Sequence, residues 1–217
     1  MEVPTLQRRI LCYGDSNTYG YIPTSGRYDE HTRWPMRMLQ ALGAGYAVIE
    51  EGFNGRTCVF DDPVEGGFKS GVSYLPPCLM SHNPLDAVLI MLGTNDTKVR
   101  FGMTPMTIGQ SMMQLVRTAK LYALDEAGKS ARVVIVAPPR ILDNLMQTRH
   151  AECFGEQAIA VSAGLAREYR RISKLMRCDF FDAGPFAEVS TLDAVHMTEQ
   201  GHIRLGDAMA EKIRTIL

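Results

Sequence analysis

Four short segments carry polar residues at or near the ends of apolar runs, and their residue types suit acyl transfer. They read Gly-Asp-Ser-Asn at 14–17, Gly-Phe-Asn-Gly-Arg-Thr at 52–57, Gly-Thr-Asn-Asp at 93–96 and Asp-Ala-Val-His at 193–196. A serine hydroxyl becomes a nucleophile when an adjacent base takes its proton, and imidazole titrates near neutral pH. The four segments together therefore predict a serine hydrolase, provided that the fold brings them to one place.

Each residue of this set has a specific predicted role. Ser16 is the nucleophile, His196 is the general base, and Asp193 accepts the other imidazole proton and so fixes the tautomer. The tetrahedral intermediate carries an oxyanion, which needs preorganised hydrogen-bond donors. We assign these donors to the backbone N–H groups of Ser16 and Gly55 and to the side-chain amide of Asn95. The predicted oxyanion hole is thus Ser16, Gly55 and Asn95.

Each segment alone has an ordinary structural explanation. Gly-Asp-Ser after a strand is commonly a turn with a helix cap, and Asn-Gly is a common turn dipeptide. Asn95-Asp96 can close an Asx-turn, and an Asp-x-x-His pair is often surface sequence. Only their combination, in this order along the chain, favours catalysis.

The apolar runs predict the elements that position these residues. Predicted strands cover 9–13, 47–51, 87–92, 132–137 and 179–181, and continuous apolar stretches such as Val-Leu-Ile-Met-Leu indicate burial on both faces. Apolar residues at helical spacing predict helices over 108–122, 161–176 and 205–217, with a shorter one over 34–42 and Thr198 as an N-cap. The pattern predicts a single domain over 1–217 that folds as a three-layer α/β/α sandwich around a five-stranded parallel sheet. Ligands of such sheets bind beyond the carboxyl ends of the strands.

Composition and charge exclude several classes of protein. The chain has 23 Lys plus Arg against 24 Asp plus Glu, a formal net charge of −1, which argues against a nucleic-acid partner. Its five cysteines are scattered, so they predict neither a disulfide framework nor a zinc site and suit a reducing cytoplasm. The first residues lack a signal-peptide pattern and the longest apolar run is too short to cross a bilayer. We therefore expect a cytoplasmic protein with no membrane partner.

Other polar and aromatic residues give weaker signals. The carboxylate pairs at 50–51 and 61–62 have no His or Cys at ligand spacing, so no metal site is predicted. The histidines at 31, 82, 150 and 202 have no evident partners and are interpreted as surface or capping residues. Tyr21 and Trp34 fit either the entrance of the site or the core. Arg140 follows the fourth predicted strand and is a candidate substrate contact. The loops 19–32 and 138–153 are long enough to be binding loops.

The four segments resemble the signature blocks of the SGNH hydrolase superfamily, also called the GDSL esterases. The four letters correspond to Ser16, Gly55, Asn95 and His196. The surrounding sequence is most similar to the bacterial arylesterases and acyltransferases, as in Arg-Ile-Leu-Cys-Tyr-Gly-Asp-Ser at 9–16 and Met-Leu-Gly-Thr-Asn-Asp-Thr-Lys at 91–98. Asn17 stands where the name-giving motif has leucine, and we expect this difference to alter the shape of the substrate pocket.

The resemblance implies a flavodoxin-like fold, no metal and no organic cofactor. It also implies a serine esterase of short-chain and aryl esters that passes the acyl group to water, alcohols or peroxide, and a homo-oligomer. A carbohydrate O-deacetylase or an acyl-thioesterase using the same triad stays open. A non-catalytic flavodoxin-like binding module is a more distant alternative, although the chain has neither Gly-x-Gly-x-x-Gly nor a P-loop motif.

Overall fold

The computed structural model describes residues 7–217 and contains a five-stranded, fully parallel sheet. The strands are β1 (Arg8–Gly14), β2 (Tyr46–Gly52), β3 (Ala87–Met91), β4 (Arg132–Ala137) and β5 (Asp179–Asp182). Their order across the sheet is β2-β1-β3-β4-β5, which is the flavodoxin-like order. All five predicted strands are confirmed, and no end moves by more than one residue.

Alternate side chains of the central strands enter two separate hydrophobic cores. Residues such as Leu11, Val88 and Ile90 are fully buried on one face, and Ile10, Leu89 and Val134 are fully buried on the other. A strand that is covered on both faces has no solvent-exposed face, so polar residues do not alternate with apolar ones along it. This explains why the strands appear in the sequence as continuous apolar runs.

Seven α-helices among residues 7–217 surround the sheet. They are α1 (Ser16–Tyr19), α2 (Trp34–Leu42), α3 (Gly71–His82), α4 (Pro105–Tyr122), α5 (Ala151–Phe154), α6 (Gln157–Met176) and α7 (Glu199–Ile216). The apolar faces of α3, α4 and α6 pack in one core, and those of α2 and α7 pack in the other. The predicted three-layer α/β/α sandwich is therefore confirmed. No helix among residues 7–217 is long and apolar enough to cross a membrane.

Side-chain caps mark where the long helices α4 and α7 begin. Thr198 is the N-cap of α7, as predicted, and its hydroxyl accepts a hydrogen bond from the Gly201 N–H at 3.0 Å. Thr104 and Thr107 form a reciprocal capping box at the start of α4, with Pro105 in the first helical position. These side chains satisfy backbone N–H groups that have no partner inside the helix.

Helix α3 is absent from the sequence-based prediction. It contains Pro76 and Pro77, and proline in a helix interior removes a backbone donor and clashes with the preceding turn. Ser70 caps the helix, and Leu75 and Leu79 are fully buried in the core. Burial of its apolar face stabilises the helix against the local cost of the two prolines.

Candidate active site

The ends of β1, β2 and β3 lie side by side because Gly14 pairs in register with Gly52 of β2 and Met91 of β3. The three signature segments that follow these strands therefore begin at the same edge of the sheet. Ser16 starts α1, where the carboxylate of Asp15 caps the helix by accepting a hydrogen bond from the Asn17 N–H at 2.9 Å. This tight strand-to-helix turn holds the serine at the edge of the sheet.

The structure brings Ser16, His196 and Asp193 into one hydrogen-bonded chain. His196 Nε2 lies 2.9 Å from Ser16 Oγ, and His196 Nδ1 lies 2.6 Å from Asp193 Oδ2. All three residues are buried. The serine and the histidine are 180 residues apart in the sequence. This geometry suits proton transfer from the hydroxyl to the imidazole.

Asp193 is held as a carboxylate by several donors. Its Oδ1 accepts hydrogen bonds from the backbone N–H groups of Val195 and His196, at 3.0 and 2.9 Å. Burial raises the pKa of this carboxyl, but the hydrogen bond and charge of His196, together with the backbone donors, outweigh burial and leave the pKa below its ordinary value. The group is therefore ionised at neutral pH and can orient the imidazole.

The three predicted oxyanion donors border the same cavity. Gly55 has φ +82°, and a Cβ there would lie 2.7 Å from Glu65 Oε2, so a side chain at this position is disfavoured twice. Among the described residues, neither the Gly55 N–H nor the Ser16 N–H donates to another group. Asn95 donates one N–H to the Arg56 carbonyl oxygen at 3.1 Å, which orients its amide and leaves the second N–H for a ligand.

The cavity in front of Ser16 has a volume of about 160 Å³. Tyr21 lines it and packs against the His196 ring, with ring centroids 4.7 Å apart. Trp34, the other aromatic considered for the entrance, is fully buried in the core. Arg140 does not line this cavity; its side chain is mostly exposed and lies 3.6 Å from Asp143. A substrate contact of Arg140 stays a prediction.

The sequence did not indicate two charged residues of the cavity wall, Lys98 and Glu65. Lys98 is almost fully buried, and its Nζ lies 2.6 Å from Glu65 Oε1 and 3.5 Å from Asp62 Oδ2. Arg100 joins the network through Asp62, at 2.7 Å. In this network the cations Lys98 and Arg100 are paired with the anions Asp62 and Glu65. Lys98 and Glu65 line the cavity, so its wall is polar and these two charges balance.

His150 is the third unexpected member of the cavity wall. Its ring lies edge-on to Phe154 and at a 62° angle to His196, and its Nε2 is 3.9 Å from Asp193 Oδ2. Burial, followed by the charge on His196, lowers the pKa of His150 below its ordinary value. His150 stands at the N-cap position of α5, in agreement with the interpretation as a capping residue, but its side chain makes no capping hydrogen bond. The side chain lines the cavity at Ser16 instead, which the sequence did not indicate.

Two further histidines also differ from their interpretation as unpartnered surface residues. His202 is fully buried, accepts a hydrogen bond from the Trp34 N–H at 3.4 Å, and has its pKa lowered to about 3 by burial. His82 is paired with Glu51 at 3.0 Å. Their partners lie far away in the sequence, so the local pattern does not reveal them.

Asn17 does not line the cavity and instead contacts residues 193–197, the segment that carries His196 and is called the histidine loop below. Its Nδ2 donates to the Val195 carbonyl oxygen at 3.3 Å, and its Oδ1 accepts from the Met197 N–H at 3.0 Å. The two hydrogen bonds flank His196 and fasten it to the residue next to Ser16. A leucine can make neither bond. The expected effect of Asn17 on pocket shape is therefore replaced by an effect on the position of the histidine.

Asp96 is a fully buried carboxyl beneath the site. Both of its oxygens accept from the Cys58 N–H, at 3.0 and 3.1 Å, and this contact ties the segment after Gly55 to the end of β3. Burial raises the pKa of Asp96 to about 7 despite these donors. Its ordinary pKa in an unfolded chain is about 3.9, so the folded state binds its proton more tightly.

The raised pKa predicts a pH-dependent stability difference between the protein and its Asp96→Asn variant. Because the folded state binds the Asp96 proton more tightly than the unfolded state, protonation stabilises the fold. This stabilisation is complete below pH ~3.9 and is lost as pH rises through about 7. Between about pH 5 and pH 8 the wild type should lose roughly 2–3 kcal/mol relative to the variant, which has no proton to release. Urea unfolding of both proteins across this range measures the difference. A constant difference would show that Asp96 does not titrate there.

A parallel α/β sheet with a serine, a histidine and an aspartate joined beyond its carboxyl edge is an arrangement known from serine hydrolases. The model of the GDSL-like lipase/acylhydrolase family matches residues 12–204. The chain belongs to this family, and the SGNH resemblance of its four segments is confirmed.

Two solved structures illustrate the similarity. The aryl esterase of M. smegmatis is 38% identical, with a TM-score of 0.90 over 97% of this chain and 100% of that one. A carbohydrate acetylesterase from Sinorhizobium meliloti is 36% identical, with a TM-score of 0.90 over the same shares. No curated protein sequence matches the chain. The two structures share the fold but differ in the substrates after which they are named.

Proposed function

We propose that this protein is a serine esterase that cleaves short-chain and aryl carboxylic esters through an acyl-enzyme. The observation that carries the proposal is the chain of hydrogen bonds from Ser16 Oγ through His196 to Asp193, at 2.9 and 2.6 Å, next to an open cavity. Membership of the GDSL-like family supports it. Ser16 is the nucleophile, His196 the general base and acid, and Asp193 the orienting carboxylate.

The first half of the reaction forms the acyl-enzyme. His196 Nε2 takes the hydroxyl proton as Ser16 Oγ attacks the ester carbonyl carbon, and the carbonyl oxygen becomes an oxyanion. The N–H groups of Ser16 and Gly55 and the Asn95 amide stabilise this oxyanion. When the tetrahedral intermediate collapses, the bond to the alcohol breaks and His196 gives its proton to the leaving oxygen. Asp193 stays ionised throughout.

The second half of the reaction releases the acyl group. Water loses a proton to His196 and attacks the acyl carbon, and collapse of the second intermediate frees the acid and returns the proton to Ser16. An alcohol or hydrogen peroxide can replace water, in which case the product is an ester or a peracid. We propose such acyl transfer as a second outcome. Measuring the ratio of acid to ester products in the presence of an added alcohol tests this acyl transfer.

The size of the cavity supports a short acyl chain. Its volume of about 160 Å³ is below the roughly 300–1,000 Å³ of pockets for drug-sized ligands. The walls nearest Ser16 include Tyr21 and Phe154, which offer flat apolar contact to an acetyl or aryl group. Longer acyl chains have to extend out of the cavity into solvent.

A carbohydrate O-deacetylase is the second candidate, and the polar part of the wall favours it. Asn54, Glu65 and Lys98 border the cavity, and amide, carboxylate and ammonium groups bind sugar hydroxyls through hydrogen bonds. The similarity to the S. meliloti carbohydrate acetylesterase also supports this substrate class. Both candidates use the same acyl-enzyme chemistry and differ only in the alcohol that leaves.

A panel of esters with one acyl group and different leaving groups separates these functions. We expect the highest kcat/KM with phenyl acetate if aryl esters are preferred, and with a peracetylated sugar if the polar wall binds the alcohol. Acetyl and octanoyl esters of the same phenol test the expected preference for short chains, and an acetyl thioester tests the thioesterase alternative. No turnover of any ester, combined with no labelling by a fluorophosphonate, would instead support a non-catalytic binding module.

Replacing Asn95 with alanine removes one of the proposed oxyanion donors. We expect kcat to fall roughly 10²- to 10³-fold while KM changes little, because this donor acts mainly on the transition state. Steady-state kinetics with phenyl acetate measure the effect. Thermal unfolding serves as the control, since Asn95 also donates to the Arg56 carbonyl oxygen. A variant that loses stability but keeps its kcat would assign Asn95 a purely structural role.

Replacing Asn17 with leucine restores the name-giving motif and removes both hydrogen bonds to the histidine loop. We expect kcat to fall by up to about 10²-fold, because small displacements of a catalytic group are costly, and stability to fall by about 1–3 kcal/mol, because buried backbone groups lose their partners. Kinetics and urea unfolding measure the two effects. Wild-type kcat in a folded Asn17→Leu variant would show that the histidine needs no such fastening.

We also propose that the protein assembles as a homo-oligomer. Several large apolar side chains are exposed on and near the segment between β2 and α3, with exposed fractions of 40% for Phe53, 75% for Val64, 86% for Phe68 and 43% for Tyr74. Apolar groups clustered on a surface commonly mark protein–protein contacts. Sedimentation equilibrium gives the mass of the assembly, and a monomer at all accessible concentrations would contradict the proposal.

A further inference from the structure

His150 presents a buried nitrogen that lacks a partner. Its Nε2 is shielded from solvent and makes no hydrogen bond to any described residue, although the side chain is 22% exposed and borders the cavity. Buried polar groups in native proteins are nearly always satisfied by protein, water or an ion. The position of this nitrogen therefore points to a ligand that the cavity can admit.

The carboxylate of Asp193 lies close enough to His150 Nε2 for one ligand to contact both groups. Oδ2 of Asp193 lies 3.9 Å from His150 Nε2, which is too long for a hydrogen bond. A Zn²⁺ ion forms bonds of about 2.0–2.1 Å to imidazole nitrogen and about 2.0–2.2 Å to carboxylate oxygen. One ion between the two atoms therefore spans their separation with a bent N–Zn–O angle.

We propose that His150, Asp193 and His196 form a Zn²⁺ site and that Zn²⁺ bound there inhibits the esterase reversibly. One ligand atom from each residue lies within 4.8 Å of the others. Two imidazoles and a carboxylate favour a transition metal such as Zn²⁺ over Mg²⁺ or Ca²⁺, which prefer oxygen ligands. The fourth position faces the cavity and is open to water. Inhibition, as distinct from binding, rests on the proposed function.

Inhibition follows from competition for His196. Zn²⁺ takes the lone pair of Nδ1, so the hydrogen bond of 2.6 Å between Nδ1 and Asp193 Oδ2 opens and both atoms become ligands. The ring proton then resides on Nε2, and the ring stays neutral. Nε2 can no longer accept the proton of Ser16, and the nucleophile is not activated. Removing the ion restores the original tautomer.

A second cluster of carboxylate, thiol and imidazole groups provides an internal control. Glu51, Cys78 and His82 also place one ligand atom each within 4.8 Å of one another. There, however, His82 Nε2 already pairs with Glu51 at 3.0 Å, and neither residue lines the cavity at Ser16. Zinc bound at this second group would not reach His196.

The experiment measures zinc binding and inhibition separately. Competition with a chromophoric chelator gives the zinc affinity of Ser16→Ala protein, in which the proposed ligands are intact and no turnover occurs. We expect the added change His150→Gln to weaken zinc binding at least about tenfold, and His82→Gln to leave it unchanged. Inhibition is measured in protein that retains Ser16, and the activity of each variant is expressed relative to its own activity without zinc. The zinc concentration that gives half inhibition should be higher for His150→Gln than for the wild type, by a factor similar to the loss of zinc affinity. Mg²⁺ should not inhibit, and a chelator should restore the activity.

Each other outcome overturns the inference. Zinc affinity unaffected by His150→Gln, or lost equally in His82→Gln, would place the metal elsewhere. Binding at His150 without inhibition would refute the effect on His196. If His150→Gln protein does not fold, the histidine C2–H resonances of Ser16→Ala protein decide the point, since Zn²⁺ should shift those of His150 and His196 and leave His82 unchanged. A protein without esterase activity would refute the proposed function, while the chelator experiment would still test the site.

Discussion

Replacing Ser16 with alanine is expected to reduce kcat for ester hydrolysis by about 10⁶-fold, because no acyl-enzyme can form. His196→Ala should cause a loss of similar size, since Nε2 lies 2.9 Å from Ser16 Oγ and no other base among residues 7–217 is hydrogen-bonded to this hydroxyl. The double variant should be little worse than either single one, because the two groups act as a unit. Steady-state kinetics and labelling with a fluorophosphonate measure the effects, and the label should appear on Ser16 in the wild type.

Ser111→Ala is a suitable control. The Ser111 hydroxyl is also largely buried, but it donates to the Thr107 carbonyl oxygen in α4 and lies outside the cavity. We expect this variant to keep wild-type activity and to be labelled at Ser16 in the same way. Appreciable esterase activity in Ser16→Ala would exclude Ser16 as the nucleophile and would require another residue of the cavity to take its place.

The fold and the four site segments were predictable because they depend on local sequence patterns. A strand buried on both faces needs an unbroken apolar run, and a parallel sheet aligns the carboxyl ends of its strands. The residues just after 14, 52 and 91 could therefore be placed at one edge before the structure was known. The histidine segment was recognised by its residue types, since it lies about ten residues beyond β5.

The remaining parts of the site depend on contacts that the sequence does not encode locally. His150 reaches the cavity through a loop with no regular apolar period, and its neighbour His196 is far away in the sequence. Lys98 lies just beyond the Asn95 segment, but its ion pairs are with residues 33 and 36 positions earlier, where no charge pattern points to it. Such contacts are fixed only when α5 and the loop after β2 pack against the site.

The contacts of Asn17 could not be predicted from the sequence either, although Asn17 lies in a recognised motif. Its position beside the nucleophile was known, but the direction of its side chain was not. In the structure it points to Val195 and Met197, the residues immediately before and after His196 in the sequence. The residue that departs from the leucine of the motif therefore links the first and last signature segments. We therefore expect the contact between these two segments to affect how well the His196 imidazole is aligned with Ser16.

Replacing Asp193 with asparagine is expected to reduce kcat on the order of 10⁴-fold while leaving the fold intact. The asparagine oxygen can keep the hydrogen bonds from the Val195 and His196 N–H groups, which Oδ1 accepts now. Its NH₂ group then takes the place of Oδ2 and donates to Nδ1 of His196. This moves the ring proton to Nε2, which faces Ser16 and can no longer accept a proton from it. The loss of the negative charge also removes the stabilisation of the imidazolium.

Kinetics and the ¹⁵N resonances of the histidine rings together test this explanation. The wild type should carry its ring proton on Nδ1 of His196 and the variant on Nε2. Asp182→Asn is the matched control, because Asp182 ends β5 at the same edge of the sheet. Among the described residues, its side chain accepts a hydrogen bond only from the Gly184 N–H. We expect the control to keep its activity and its tautomer. A large loss of activity in Asp193→Asn with the proton still on Nδ1 would assign the effect of Asp193 to charge alone, and wild-type kcat would remove Asp193 from the catalytic machinery.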